Sequence, residues 1–229
     1  MKDSKNMRAN TVSAENQLTV NNFVSIYGRG SEFKVLFFGN SITRHSPKAD
    51  IGWSGDWGMA ASCKENDFVH LVVSELEKRY DAVDYCIAQG AEWERNYSET
   101  DAVLEEYYTA ARDFAADLVI IRIGENILSS AHEELNCKPY LNKVVKFLAQ
   151  NARQVIVTDL FYDSAKNNIF KEVAEENGYS FVHLTDLEKD ERTMALGQYE
   201  HDGVAHHPSD FGMKCIADRI MSVFAPDLY

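Results

Sequence analysis

Five short, nearly unbroken apolar runs, set apart by segments of helical period, constrain this chain more than any other feature of its sequence. The runs are Lys34 to Phe38, Val83 to Ala88, Leu118 to Ile123, Gln154 to Thr158 and Phe181 to Leu184. Continuous hydrophobicity over five or six residues marks a strand buried on both faces, since a solvated face would place a polar residue at every second position. Between the runs, Phe68, Val72, Leu76 and Tyr80 recur at helical spacing, predicting a helix over 67–79. Val103, Leu104, Tyr108, Ala111 and Ala115 make a second such face after the capping-box-like pair Ser98 and Asp101. Pro139 suits the first turn of a third helix, Gly178 the C-terminal cap of a fourth, and a fifth runs from about Ser209 to Phe224. Alternation of this kind builds a parallel sheet with helices on both faces. The sequence therefore predicts an α/β fold: a three-layer, doubly wound, five-stranded parallel sheet of flavodoxin-like type.

At 229 residues the chain is long enough to bury one sizeable core. We read residues 31–229 as one domain and residues 1–30 as an N-terminal arm, flexible over its first 15 or so residues. Partial alternation at Leu18, Val20, Phe23, Val24 and Ile26 gives that arm either a short edge strand or a cover over the sheet. The formal charge of −13, with no basic run, repels phosphate backbones and anionic bilayers. Neither a nucleic-acid partner nor stable membrane association is expected. The four cysteines form no CxxC pair, which favours a reducing compartment over a metal knuckle or redox motif. Met1 to Asn10 is polar and lacks a signal-peptide core, so a cytoplasmic location is expected unless a leader has been removed.

Chemistry gathers where the strands end. Gly39-Asn40-Ser41, Gln89-Gly90 and Gly124-Glu125-Asn126 each follow a strand, and His201 to Pro208 opens the last helix. In an open α/β sheet the crevice beyond the carboxyl ends of the strands is where ligands bind. A nucleophilic hydrolase needs a hydroxyl, a base, an orienter for that base and donors aimed at an oxyanion. Ser41 supplies the hydroxyl, His207 or His206 the base and Asp202 the orienter, while the Ser41 and Gly90 N–H groups and the Asn126 amide supply donors. Each residue also has a plainer reading: Ser41 as a helix cap, Gly90 as relief at a strand end, Asn126 and Asp202-Gly203 as turns. The aperiodic stretch 44–62 carries Trp53 and Trp57, which either wall a substrate site or pack the loop onto the body. Glu125 either lines the pocket or faces water. Arg44 and His45 read as solvated and receive no role.

The four blocks together resemble the SGNH hydrolases, also called GDSL-type esterases and lipases. Gly39-Asn40-Ser41-Ile42-Thr43 is similar to their first block, with Asn40 where the GDSL name has aspartate. Gly90 resembles the glycine of the second, Gly124-Glu125-Asn126 the Gly-x-Asn of the third, and His207 to Met213 the last. The resemblance spans roughly residues 33–225. It implies a serine esterase with Ser41 as nucleophile, His207 as base and Ser41, Gly90 and Asn126 around the oxyanion, working without a metal or other cofactor. The implied substrates are small-molecule carboxylic esters: a short acyl or acetyl group, on a carbohydrate for instance, with lysophospholipase or thioesterase activity as the alternative.

Two departures stand out. The family's aspartate usually lies three residues before the histidine, whereas Asp202 lies five before His207 and four before His206. Either the loop bulges, or a backbone carbonyl orients the base, or the base is His206; Pro208 favours His207. Ile127 stands where the family often has aspartate. Two other classes stay open: a metal-dependent hydrolase using His201, Asp202, His206 and His207, and a non-catalytic sugar- or lipid-binding module on the same fold.

Overall fold

The computed structural model describes residues 23 to 228 apart from 29 and 32, so the predicted flexible arm lies outside the described residues. In chain order the strands and α-helices are β1 (Val24–Tyr27), β2 (Phe33–Gly39), α1 (Phe68–Leu76), β3 (Val83–Gln89), α2 (Ala91–Arg95), α3 (Thr100–Tyr107) and α4 (Thr109–Asp113). There follow β4 (Leu118–Arg122), α5 (Ser129–Glu134), α6 (Lys138–Leu148), β5 (Gln154–Thr158), α7 (Asn167–Asn177), β6 (Ser180–Val182), α8 (Asp202–Ala205) and α9 (Asp210–Ser222).

All five expected strands form and pair in parallel, with β2 between β3 and β4. The sheet has six strands rather than five, in the order β1-β3-β2-β4-β5-β6. The added strand, β1, runs antiparallel along the edge of β3, with Val24 opposite Ala88 and Tyr27 opposite Tyr85. An edge strand with one solvated end needs no continuous apolar run, so its signal in the sequence is weak. Without β1 the order is the flavodoxin-like one, and its reversal falls at β2. That places the end of β2, and with it Ser41, at the switch point of the sheet.

The strand residues divide by period two between the faces. Val35 and Phe37 of β2 pack with Phe68 and Val72 of α1 and Ile216 and Ile220 of α9. Leu36 and Phe38 join the opposite core with Val144 of α6 and Phe170 of α7. Phe37 and Phe38 are fully buried, each worth roughly 1.5–3 kcal/mol in area removed from water. No helix among the described residues is long and apolar enough to cross a membrane.

The aperiodic stretch after Ser41 folds back on itself through isolated bridges between His45 and Trp57 and between Lys48 and Trp53. It carries its own small core of Ile51, Trp53, Met59 and Ala60, closed by Ala195 and Val204 from the segment that delivers the histidines.

Candidate active site

Residues 41–43 form a single turn, closed by the Thr43 and Arg44 N–H groups donating to the Asn40 carbonyl at 2.9 and 3.0 Å. No helix begins there, so the cap reading of Ser41 does not hold. The turn presents Ser41 Oγ 2.8 Å from His207 Nε2. On the far side of the ring, His207 Nδ1 lies 2.6 Å from the Gly203 carbonyl. A carbonyl only accepts, so Nδ1 carries the proton and Nε2 is left as acceptor for the serine hydroxyl.

The fold thus brings His207, and not its neighbour, to Ser41. His206 is exposed, and its Nδ1 donates to the Asp202 carbonyl at 2.7 Å. Asp202 is corrected as orienter of the base: it sits exposed in the first turn of α8, and the Gly203 carbonyl takes the place its carboxylate would need. The one-turn helix explains the register, since it carries the chain from His201 to His207 while pointing a main-chain oxygen at the ring. The four metal-ligand candidates His201, Asp202, His206 and His207 do not converge: among the described residues no three His, Cys, Asp or Glu side chains come together around one point.

His207 is 1% exposed, and burial pushes its pKa down to about 3, with His45, Arg122 and His201 adding to the depression and the Gly203 contact opposing it. His45 is equally buried and is lowered to about 4, chiefly by desolvation. Its Nδ1 donates to the Ser46 carbonyl at 2.6 Å. Arg44, likewise buried, pairs with Asp56 through Nε and Nη2, both at 2.9 Å. Neither residue is solvated, contrary to expectation.

The oxyanion side is also revised. The Ser41 N–H makes no hydrogen bond among the described residues. The Gly90 N–H, expected as a donor, is spent on the Gly39 carbonyl at 2.6 Å. Gly90 is there for space: a Cβ would come within 2.7 Å of both Phe38 and Ile123 side chains. Gly124 adopts φ +128, which only glycine takes readily, and the turn it allows brings Asn126 onto Glu94. One Asn126 Nδ2 hydrogen goes to Glu94 Oε2, and the second has no partner among the described residues.

Beneath these groups lies a buried polar network that the sequence did not announce. Asn40 Nδ2 donates to Glu94 Oε1 at 2.9 Å and to Glu125 Oε2 at 2.6 Å. Arg122, 1% exposed, pairs with Glu125 Oε1, which also accepts from the Phe161 N–H at 3.1 Å. Glu125 therefore lines the pocket with its carboxylate already committed. The one signal for Arg122 was its charge inside an otherwise apolar strand. Glu94 stands between other charged residues, Glu92 and Arg95, so its residue type gives no sign of burial.

The tryptophans pack the loop onto the body. Trp53 is 3% exposed, and its indole N–H donates to the His45 carbonyl at 3.0 Å. Trp57 is half-buried and donates to the Ala61 carbonyl at 2.8 Å. A cavity of about 280 Å³ does adjoin Asn126, lined by Glu94, Arg95, Tyr97, Glu125, Leu128 and Ala131. A wider one of about 750 Å³ opens at the other end of the sheet, where Phe33, Asp117 and Arg153 lie, and holds none of the candidate groups.

The architecture recurs in proteins of known structure. An acetyl xylan esterase from Geobacillus stearothermophilus superposes with a TM-score of 0.53 at 20% identity, over 84% of this chain and 94% of its own. A family two carbohydrate esterase from Clostridium thermocellum gives 0.55 at 12% identity, over 85% and 63%. A two-domain esterase active on acetylated mannans gives 0.53 at 16%, over 83% and 48%. The fold is the one the SGNH hydrolase resemblance implied. No family model matches the sequence, and no curated protein matches it either.

Proposed function

We propose that this protein is a serine ester hydrolase, with Ser41 as nucleophile and His207 as general base, acting on a small acyl ester such as an acetyl group borne on a carbohydrate. The observation that carries this reading is the 2.8 Å contact between Ser41 Oγ and His207 Nε2, with the ring held from behind by the Gly203 carbonyl. As the serine oxygen attacks the ester carbon, Nε2 takes its proton. The oxyanion then forms within reach of the Ser41 N–H and the second Asn126 Nδ2 hydrogen. Collapse expels the alcohol, which takes the proton from His207, and leaves an acyl group on Ser41. Water, deprotonated by the same histidine, releases the acid.

A small acyl group is supported by the size of the cavity beside Asn126, about 280 Å³ with Tyr97, Leu128 and Ala131 on its walls. A carbohydrate alcohol is supported by the activities of two structural neighbours, an acetyl xylan esterase and an esterase active on acetylated mannans. The test is intact mass after a fluorophosphonate probe, alongside hydrolysis of p-nitrophenyl acetate and octanoate. The wild type is expected to gain one adduct, Ser41→Ala none, and acetate to be hydrolysed with the higher kcat/KM. A wild type that neither gains the adduct nor hydrolyses either ester would overturn the reading.

A further inference from the structure

We propose that Glu94 is the positioning residue of the oxyanion site, its buried carboxylate clamping Asn126 and the Gly124 turn against Asn40, the neighbour of Ser41. The inference rests on the ester-hydrolase reading and adds to it a group that lies in none of the four sequence blocks.

The geometry is specific. Glu94 leaves α2 four residues after Gly90 and is 1% exposed. Its Oε1 accepts from the Gly124 N–H at 2.6 Å, from Asn40 Nδ2 at 2.9 Å and from the Asn126 N–H at 3.1 Å. Its Oε2 accepts from Asn126 Nδ2. One carboxylate therefore joins the turn after β2, the turn after β4 and the helix after β3, the three strand ends among which the oxyanion must form.

Every one of these partners is an N–H donor, and the fit is to an ionised carboxylate, which accepts at both oxygens. A glutamine in the same place would turn an NH2 group against at least one N–H. The neighbouring cations are engaged elsewhere: Arg122 pairs with Glu125, and Lys166 donates to the Ile127 carbonyl. Burial, reinforced by Glu125, raises the Glu94 pKa, while the contacts from Asn126 and Asn40 oppose that rise.

The consequence lies in Asn126. Its side-chain amide has two hydrogens on one planar group, so fixing one toward Oε2 fixes the direction of the other. Holding the Asn126 N–H from the same carboxylate removes the remaining freedom of the residue. Donors set in place before the reaction need no reorganisation as charge develops, which is where such a site gains its rate. Glu94 touches no substrate in this scheme; it acts through Asn126.

The experiment is a double-mutant cycle on p-nitrophenyl acetate with Glu94→Gln and Asn126→Ala. Glu94→Gln is expected to lower kcat about 10- to 100-fold with KM within about threefold, since the lost interaction belongs to the transition state. In the Asn126→Ala background the same substitution is expected to cost less than about twofold, because the group it orients is gone. Glu94→Gln activity within twofold of wild type would overturn the proposal, as would an equal loss on both backgrounds. If Glu94→Gln does not fold, Glu94→Asp, which keeps the charge but withdraws it by one methylene, enters the same cycle under the same criteria. A wild type without esterase activity overturns the ester-hydrolase reading; an active wild type insensitive to Glu94 overturns this inference alone.

Discussion

His207 is held at both nitrogens, by a serine on one side and by a peptide carbonyl on the other, and among the described residues no side-chain carboxylate completes the set. Asp202→Asn is therefore expected to keep kcat within about twofold, while His207→Ala loses three orders of magnitude or more, the usual effect of removing a base paired with its nucleophile. The depressed pKa makes a second prediction. Because burial lowers His207 to about 3, the base stays neutral in weak acid, and the acid limb of kcat/KM should fall below pH 5 rather than near the ordinary imidazole value of about 6.5. A pH–rate profile with its acid midpoint at 6 or above would contradict the burial argument. At this scale the sequence was readable for where Ser41, His207 and Asn126 stand, because each lies at a strand end or helix start that the pattern itself reveals. It was not readable for Asp202, Gly90 or Glu94. Asp202 lost its role to a main-chain oxygen, which leaves no trace in residue type. Gly90 makes a backbone hydrogen bond and a tight packing contact, both equally invisible. Glu94 became buried only because the turn after β4 folded over it.

At the level of elements, the five parallel strands were legible because burial on both faces forces a continuous apolar run. The antiparallel β1 was legible only as an alternative, being short and half-solvated. The loop between β2 and α1 has no period because its only regular pieces are two single-turn 3-10 helices, Ala49–Ile51 and Lys64–Asn66; its order comes from Trp53 and Trp57. Removing the Trp53 side chain would leave a large void in a small core and free the His45 carbonyl. Trp53→Ala is expected to destabilise the protein by about 3–5 kcal/mol, measured by urea unfolding. Ser41 shares this loop: its carbonyl accepts from Met59 N–H at 2.9 Å, so fluorophosphonate labelling of Ser41 should slow in the same variant. Loss of stability with unchanged labelling would separate the loop core from the site.

Across the whole molecule, the histidines give the fold a definite response to acid. His207 and His45, with pKa values lowered to about 3 and about 4, remain uncharged in the folded state where the unfolded chain takes up protons at about 6.5. The unfolded state then binds more protons, so stability falls as pH drops, by on the order of 1–2 kcal/mol per histidine between pH 7 and 5. His201, also lowered by burial, acts in the same direction, whereas Glu94, raised by burial, acts in the opposite one. A Tm lower at pH 5 than at pH 7 is expected; an equal or higher Tm would mean that these imidazoles are more accessible to water than the fold indicates. The contact from Gly203 to His207 has a last consequence, for inheritance. An acceptor that belongs to the peptide backbone cannot be deleted by exchanging a side chain, so the ring's orientation tolerates drift at position 202. What it cannot absorb is a change in the number of residues between His201 and His207. A library scored for activity should find substitutions of Asp202 common among survivors and single-residue insertions or deletions in that segment absent from them.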